Sequence, residues 1–178
     1  MDTKIVKIDD TYAKILSELG ARLFADTFAN DNTPENLELY LDANYRPDIQ
    51  TKELNDPAMT AYMAFDPESN QPVAYCQLRQ TKHVYYDFVG DSEDDAIELQ
   101  RLYVDKQWAG MGLGKRLLAE CVATATKMGK KIMWLCVSDY NPNAIKFYEK
   151  QGFRKVGVRN VMLGNKPETD HIMSMSLI

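Results

Sequence analysis

The feature that most constrains this chain is a predicted strand that leads through a glycine-rich loop into a predicted helix. Residues 96–104, AIELQRLYV, have the composition of a strand, and residues 107–116, QWAGMGLGKR, place three alternate glycines after it. From Leu113 to Ala125, apolar residues then recur at helical spacing on one face. Strand, loop and helix in this order are a building unit of α/β proteins, so the pattern predicts that fold class.

The rest of the chain predicts a mixed sheet around this unit. Strands are predicted at residues 4–8, 60–65, 73–78, 132–137, 156–163 and 172–177, and helices after residue 11, from Pro34, at 49–54 and at 143–150. Residues 164–169 are expected to form the turn between the last two strands. Because no repeat or linker stands out in the sequence, we expect one domain over residues 1–178, with helices on both faces of the sheet.

A glycine-rich loop at the start of a helix often binds phosphate, but this one fits neither of two common motifs. A P-loop needs a glycine where Ala109 stands and a serine or threonine where Arg116 stands. A dinucleotide fingerprint counted from Gly110 needs a glycine at Lys115. The glycines and the helix N-terminus still favour an anion, with a tight turn that binds nothing as the alternative.

Charge and cysteine content exclude several other classes of function. The net charge of −5 argues against nucleic acid as the main partner, because a phosphate-binding surface needs basic residues. Cys76, Cys121 and Cys136 lack the spacing of metal ligands, so no metal site is predicted and buried thiols in a reducing compartment are expected. The sequence shows neither a signal-peptide core nor a membrane-spanning run, so we expect a cytoplasmic protein without a membrane partner.

Two segments together resemble the signatures of the GNAT superfamily of N-acetyltransferases. Gln107-x-x-Gly110-x-Gly112 after the strand ELQRLYV is similar to the family's acetyl-CoA signature, and residues 141–153, NPNAIKFYEKQGF, are similar to its N-x-x-A-x-x-F-Y-x-x-x-G-F signature. The resemblance is specific over roughly residues 96–157. It implies a GNAT fold, which is a twisted, mostly antiparallel sheet of about seven strands whose central strands splay apart to admit the cofactor.

The resemblance also implies acetyl-CoA as the acetyl donor and CoA as the product. Backbone N–H groups from Trp108 to Lys115 are then expected to hold the pyrophosphate. Backbone groups of Leu102 and Val104, and the side chain of Asn141, are expected to bind the pantetheine arm. The expected cofactor-binding residues are Leu102, Tyr103, Val104, Gln107, Trp108, Ala109, Gly110, Met111, Gly112, Leu113, Gly114, Lys115, Asn141 and Tyr148.

Glu98 is a candidate general base for the attack of an amine on the acetyl thioester. Because residues alternate along a strand, Glu98 and Gln100 are predicted to share a face with Leu102 and Val104. Glu98 then resembles the strand carboxylate that some family members use as a base, usually through water. A surface or ion-pairing residue is the alternative. A backbone N–H near Val104 is the expected donor to the oxyanion.

Tyr148 is a candidate general acid. It resembles the tyrosine of the family's F-Y pair, whose hydroxyl lies near the cofactor sulfur and protonates the leaving thiolate. The alternative is an aromatic residue of the core, a role that fits Phe147 better on an amphipathic helix. His83 and His171 are expected to have surface or structural roles.

The acceptor amine is the least constrained part of the prediction. Aromatic and acidic residues suit a cationic amine, with core packing and a solvated acidic loop as the alternative. These residues are Phe24, Phe28, Tyr40, Tyr45, Tyr85, Tyr86, Asp87 and the run 91–95. The segments FADTFANDNTPENLELYL and VMLGNKPETDHIMSMSL resemble a subgroup that includes bacterial spermidine/spermine acetyltransferases, which implies a polyamine or small primary amine.

Two other readings of the function remain open on the sequence. One is a protein substrate, acetylated at its N-terminus or at a lysine. The other is a domain that binds acetyl-CoA without catalysis, although intact Glu98, Asn141 and Tyr148 argue against it. Dimers are common in the family, so a homodimer is also compatible with the resemblance.

Overall fold

The computed structural model describes residues 3–80 and 93–178 of the chain. The strands are β1 Lys4–Ile8, β2 Met59–Phe65, β3 Pro72–Arg79, β4 Ala96–Val104, β5 Ile132–Ser138, β6 Arg154–Leu163 and β7 Lys166–Ser176. The α-helices are α1 Ala13–Phe28, α2 Pro34–Tyr45, α3 Pro47–Leu54, α4 Leu113–Lys127 and α5 Pro142–Lys150.

Within the described residues, seven strands form one mixed sheet in the order β1-β2-β3-β4-β5-β7-β6. Neighbouring strands are antiparallel except for β4 and β5, which run parallel. Two parallel neighbours need a crossover connection, and α4 lies in it. The predicted α/β class and the mostly antiparallel sheet of about seven strands are confirmed.

Helices cover both faces of the sheet, as predicted, and each face has its own core. On one face, α4 packs against β3 and β4 while α5 packs against β5, and they bury a shared core that includes Leu117, Tyr148 and Leu99. On the other face, α1 and the end of α2 bury residues such as Phe24 and Tyr45 against the sheet. None of the helices in the described part of the chain is both long and apolar enough to cross a membrane.

The largest error in the predicted boundaries concerns the hairpin of β6 and β7. The turn is the pair Gly164–Asn165, and residues 166–169, predicted as part of the turn, belong to β7. Gly164 has φ of +59° at the first position of this two-residue turn, a position that favours glycine. The last strand therefore begins at Lys166 and not at Ile172.

Candidate active site

The two central strands part at the point where the predicted cofactor site begins. β4 and β5 are paired only over residues 96–98 and 132–134. Beyond these residues β4 stays paired with β3 as far as Val104, while β5 stays paired with β7 as far as Ser138. The sheet therefore divides into two halves with a gap between them, which confirms the predicted splay.

The backbone of β4 presents hydrogen-bonding groups to this gap. The N–H of Asp105 donates to the carbonyl of Val73 at 2.8 Å, and in an antiparallel pair alternate residues bond to the partner strand. Tyr103 lies two residues before Asp105, so its backbone N–H and C=O groups also bond to β3. Leu102 and Val104 therefore direct their N–H and C=O groups toward the gap, the direction that a contact with a pantetheine arm requires.

The glycine loop ends this gap with an open stretch of backbone. Gly110 and Gly112 have φ of +78° and +81°, a region that glycine adopts far more readily than other residues. A Cβ at either position would meet no atom of residues 3–80 or 93–178 within 4 Å, so this part of the structure leaves the space beside the loop open. Gly112 is the N-cap of α4, and no side chain of the described residues caps this helix, so its first N–H groups have no partner within the helix.

Some of the N–H groups expected to hold the pyrophosphate already donate within the loop. Those of Trp108, Ala109 and Met111 donate to backbone carbonyls of the preceding turn, and that of Gln107 donates to the Asp105 carboxylate at 3.0 Å. The structure therefore narrows the expected donors to the backbone N–H groups of Gly110, Gly112, Leu113, Gly114 and Lys115. A helix N-terminus with such groups favours an anion.

The second signature segment forms α5, and Asn141 has a structural role at its start. The Oδ1 atom of Asn141 accepts a hydrogen bond from the N–H of Ala144 at 3.1 Å, which caps the helix. This cap was not predicted from the sequence. Because the side-chain oxygen is used in this way, the predicted contact of Asn141 with a pantetheine arm falls to its Nδ2 group.

Tyr148, and not Phe147, is the buried aromatic residue of α5. Tyr148 is 7% exposed, and its ring centroid lies 5.2 Å from that of Phe147 and 5.5 Å from that of Phe153. Phe147 is only half-buried and lies beside the first turn of α4, where a Cβ on Gly114 would be 3.6 Å from its ring. Burial raises the pKa of the Tyr148 hydroxyl above 10.0, so the phenol is protonated at neutral pH, as a general acid must be.

β4 contains a β-bulge in the middle of the predicted active-site strand. Arg101 is opposite Gln77 of β3, and Leu99 is opposite the next residue, Leu78. Gln100 therefore has no partner in β3, and the alternation of faces is broken at this residue.

The bulge overturns the predicted orientation of Glu98. Before the bulge, Ile97 lies in the core under α4, and after it Leu102 and Val104 pack against the same core. Glu98 is therefore on the face opposite to Leu102 and Val104, contrary to the expectation for a regular strand. It faces the α1 side of the sheet, as Tyr103 does.

A cavity of about 470 Å³ lies on this face of the sheet, across the gap between β4 and β5. We call it the central cavity. Its aromatic lining residues are Phe24, Phe28, Tyr40, Tyr45 and Tyr103, and its charged lining residues are Arg79, Glu98, Arg101, Arg159, Glu168 and Asp170. The predicted acceptor aromatics of α1 and α2 thus lie together, with the rings of Phe24 and Tyr40 stacked at 4.3 Å.

Two of the arginines that line the central cavity are neutralised by carboxylates. Arg101 donates to Glu53 Oε2 at 2.7 Å, and both side chains are largely buried. Arg159 contacts Asp170 Oδ2 at 2.9 Å. Buried charges are stable only when they are paired in this way, so these pairs fix the shape of the cavity floor and of its β6–β7 wall.

Three polar atoms in the lining are buried without a hydrogen-bond partner in the described part of the chain. They are Arg79 Nε, Gln100 Oε1 and Glu168 Oε1. Lys166 Nζ lies 3.3 Å from Glu168 Oε1 and balances part of its charge. Because a buried polar atom without a partner is destabilising, these atoms indicate where a polar ligand would contact the protein.

The hairpin of β6 and β7 closes the central cavity against the start of α2. A Cβ on Gly164 would lie 2.8 Å from the backbone oxygen of Asn36, so the hairpin tip packs directly on that helix. The N–H of Asn165 donates to Asn36 Oδ1 at 3.1 Å, and Lys166 Nζ donates to the carbonyl of Asp31 at 2.8 Å. These contacts hold Leu163 in the wall beside the aromatic residues of α1.

Comparison with known proteins decides the family. The sequence profile of the acetyltransferase (GNAT) family matches residues 22–153, well over half of the chain. The chain belongs to the GNAT acetyltransferase family.

Individual relatives agree with this assignment. The chain is 30% identical to an uncharacterized N-acetyltransferase of Mycobacterium tuberculosis over 168 residues, which cover 94% of this chain and 99% of that protein. It shares its fold with the PaiA N-acetyltransferase from Thermoplasma acidophilum, solved in complex with coenzyme A, at a TM-score of 0.78, 20% identity and 99% coverage of each chain. It is also 29% identical to a spermine/spermidine N(1)-acetyltransferase of Bacillus subtilis over 65 residues, which are 36% of this chain and 43% of that protein.

Membership of the GNAT family makes this chain an N-acetyltransferase with acetyl-CoA as its donor, as the sequence predicted. When bound, acetyl-CoA supplies a reactive thioester. The residues present fit this donor, because the gap exposes backbone groups of Leu102 and Val104 and the loop presents N–H groups suited to a pyrophosphate. Glu98 and Tyr148 are not in one cavity. They lie on opposite faces of the sheet, Glu98 on β4 and Tyr148 on α5, which packs against β5.

Several acidic residues considered for the acceptor do not contribute to the central cavity. Lys130 Nζ donates to the carbonyl of Asp94 at 2.8 Å, and Asp95 pairs with Lys131, both at the start of β4. His171 lies within β7 and contacts Asp139, away from the cavity lining. The remaining candidates, His83, Tyr85, Tyr86, Asp87 and Asp91, lie outside the described residues.

The polar residues that β3, β6 and β7 contribute to the central cavity were not predicted from the sequence. Arg79 ends β3, and Glu168 and Asp170 lie two residues apart on one face of β7. The dipeptide Gly164–Asn165 was the available signal, since such a pair between two strand patterns indicates a two-residue hairpin. That reading would have moved Glu168 from a predicted turn into a strand that faces the site.

Proposed function

We propose that this N-acetyltransferase acetylates the primary amine of a small molecule in the central cavity, with a polyamine or another small amine as acceptor. The cavity itself carries the proposal, since it combines aromatic rings, carboxylates and a position across the β4–β5 gap. Aromatic faces and carboxylates both stabilise an ammonium group. The partial likeness to the Bacillus subtilis enzyme, whose name gives spermine and spermidine, supports a polyamine within this class.

The proposed reaction joins the two faces of the sheet at the gap. The amine nitrogen forms a bond to the acetyl carbonyl carbon, and the bond between that carbon and the thioester sulfur breaks. Glu98, in the central cavity, accepts the proton that the amine loses, directly or through water. Tyr148, buried on the other face, donates the proton of its hydroxyl to the departing sulfur.

The donor contacts proposed for this chain are backbone and amide groups. We assign the pyrophosphate to the N–H groups of the loop from Gly110 to Lys115 that do not donate within it, and the pantetheine arm to the backbone of Leu102 and Val104 and to Asn141 Nδ2. We also propose that residues 1–178 act as one domain in the reducing environment of the cytoplasm. The free cysteines of the chain, two of them buried, suit such an environment.

A thiol-release assay over a panel of amines tests the proposal. The panel contains spermidine, shorter diamines and alkylamines, peptides with a free N-terminus or lysine, and a blank without amine, all with saturating acetyl-CoA. We expect CoA release above the blank with small amines. Release with peptides alone would contradict the small-molecule acceptor, and no release from protein that binds acetyl-CoA by calorimetry would contradict catalysis.

A further inference from the structure

Arg79 is a cation in the lining of the central cavity that no carboxylate of the described residues neutralises. Arg101 is paired with Glu53 and Arg159 with Asp170, whereas within residues 3–80 and 93–178 the side chain of Arg79 takes part in no hydrogen bond or ion pair. Its Nε atom is buried and has no hydrogen-bond partner among these residues. A guanidinium in this setting is stabilised by an anion, and its planar N–H groups match the two oxygens of a carboxylate.

The position of Arg79 relates this cation to the site of chemistry. Arg79 and Glu98 are direct partners across β3 and β4, and the Cβ atoms of such a pair are about 4.5–5.5 Å apart on the same face. Gln100 lies at the bulge two residues beyond Glu98, and its buried Oε1 atom has no hydrogen-bond partner in the part of the chain that the structure describes. In this part of the lining, Glu98 and Gln100 can therefore accept hydrogen bonds from an amine, and the neighbouring Arg79 can donate hydrogen bonds to an anion.

We propose that the acceptor is a primary amine that carries a carboxylate a few bonds from its nitrogen, and that Arg79 binds this carboxylate. The inference rests on the proposed function, because it adds a second recognised group to the same acceptor. A diamine or polyamine would instead place another positive charge beside Arg79, which is unfavourable within a cavity. The reaction at the nitrogen is unchanged: the C–N bond forms, the C–S bond breaks, and the carboxylate takes no part in it.

Three series of amines test this inference by thiol release. They are ω-amino carboxylates with one to five methylene groups, alkylamines of matched length and diamines of matched length. We expect the highest kcat/KM with amino carboxylates of one to three methylene groups. In Arg79→Gln, the ratio of kcat/KM for amino carboxylate to that for matched alkylamine should fall roughly ten- to hundredfold, the range for a hydrogen bond between charged groups.

Two further variants serve as controls. Arg79→Lys keeps the charge but loses the planar pair of donors, so the ratio should recover in part. Arg154→Gln removes an exposed arginine of β6 that does not line the cavity, so the ratio should stay at its wild-type value. Thermal melting and acetyl-CoA affinity check that each variant is folded. If Arg79→Gln does not fold, the carboxylate site is tested by two other results. These are the wild-type ranking of the three amine series by kcat/KM and the ratio measured for Arg79→Lys.

The outcomes separate this inference from the proposed function. A wild-type preference for diamines, or an unchanged ratio in Arg79→Gln, overturns the carboxylate site and leaves small-amine acetylation standing. If no amine is turned over, calorimetric titration of the amino carboxylates in the presence of CoA decides. Binding that depends on Arg79 would then keep the carboxylate site and overturn the proposed function, and absence of binding would overturn both.

Discussion

Replacing Gly20 by alanine tests whether the aromatic wall of the central cavity is rigid. Gly20 lies within α1, where alanine usually stabilises a helix by about 1 kcal/mol relative to glycine. An alanine Cβ there would be 2.6 and 2.7 Å from two ring carbons of Tyr45, and 3.2 Å from the hydroxyl of Tyr75. Because carbon atoms pack best at about 3.5–4.0 Å, the Tyr45 ring would have to retreat by about 1 Å.

The surroundings of Tyr45 leave little room for this movement. Tyr45 is 3% exposed, the guanidinium of Arg101 lies 5.0 Å from its ring centroid, and its hydroxyl is 3.3 Å from that of Tyr75. Overpacking of a core typically costs about 1–3 kcal/mol, which exceeds the gain of about 1 kcal/mol in helix propensity. We therefore expect Gly20→Ala to lower the free energy of unfolding by about 1 kcal/mol, and the melting temperature by about 2–4 °C.

Urea unfolding of a double-mutant cycle with Tyr45→Leu isolates the steric effect. Without the Tyr45 ring, Gly20→Ala should become neutral or stabilising, and the coupling energy between the two sites should be about 1–3 kcal/mol. The KM for the acceptor should also rise in Gly20→Ala, since Tyr45 lines the central cavity. If Gly20→Ala stabilises the wild-type chain as much as it stabilises Tyr45→Leu, the ring yields freely and the reasoning is wrong.

Three further outcomes are expected at the site itself. Glu98→Gln should lower kcat by roughly 10²- to 10⁴-fold with acetyl-CoA affinity kept, and an unchanged kcat would remove Glu98 as the base. Tyr148→Phe should lower kcat roughly 10²-fold or more. Because burial raises the pKa of Tyr148 above 10.0, the hydroxyl loses its proton only above that pH. A fall in kcat between pH 7 and about 10 that is present in the wild type and absent from Tyr148→Phe would contradict the assignment. Gly112→Val should raise the KM for acetyl-CoA and reduce stability by at least about 1 kcal/mol, since residue 112 has φ of +81°. Gly129→Val, with φ of +74° at the other end of α4 and equally open space, should reduce stability without changing that KM, and an equal rise of KM in both would contradict the loop assignment.

The positions of strands and helices could be predicted because apolar periodicity records which face of each element is buried. Which of the two neighbouring aromatic residues of α5 is buried could not be predicted in this way. Phe147 and Tyr148 are adjacent and both aromatic, and the helical pattern of α5 is compatible with burying either. What decides is the packing of α5 on the sheet, which sets Tyr148 against Phe153 and leaves Phe147 at the gap.

The bulge of β4 also could not be predicted from the sequence pattern. A bulge can be recognised in a sequence when it interrupts a clear alternation of polar and apolar residues, or when a glycine stands at the extra position. The segment from Glu98 to Arg101 shows neither signal. The register is decided by distant partners, because Arg101 is held by Glu53 of α3 while Leu99 stays buried under α4. Only the folded chain brings those partners together.

This bulge also explains how one strand can serve both reactants of the proposed reaction. If Gln100 were paired with β3 as in a regular strand, strict alternation would put the Glu98 carboxylate on the same face as Leu102, in the apolar core under α4. The bulge lies just beyond the last residue of β4 that pairs with β5, so the strand changes face where the gap opens. Glu98 can therefore line the acceptor side while Leu102 keeps its side chain in the core and its backbone groups toward the donor side.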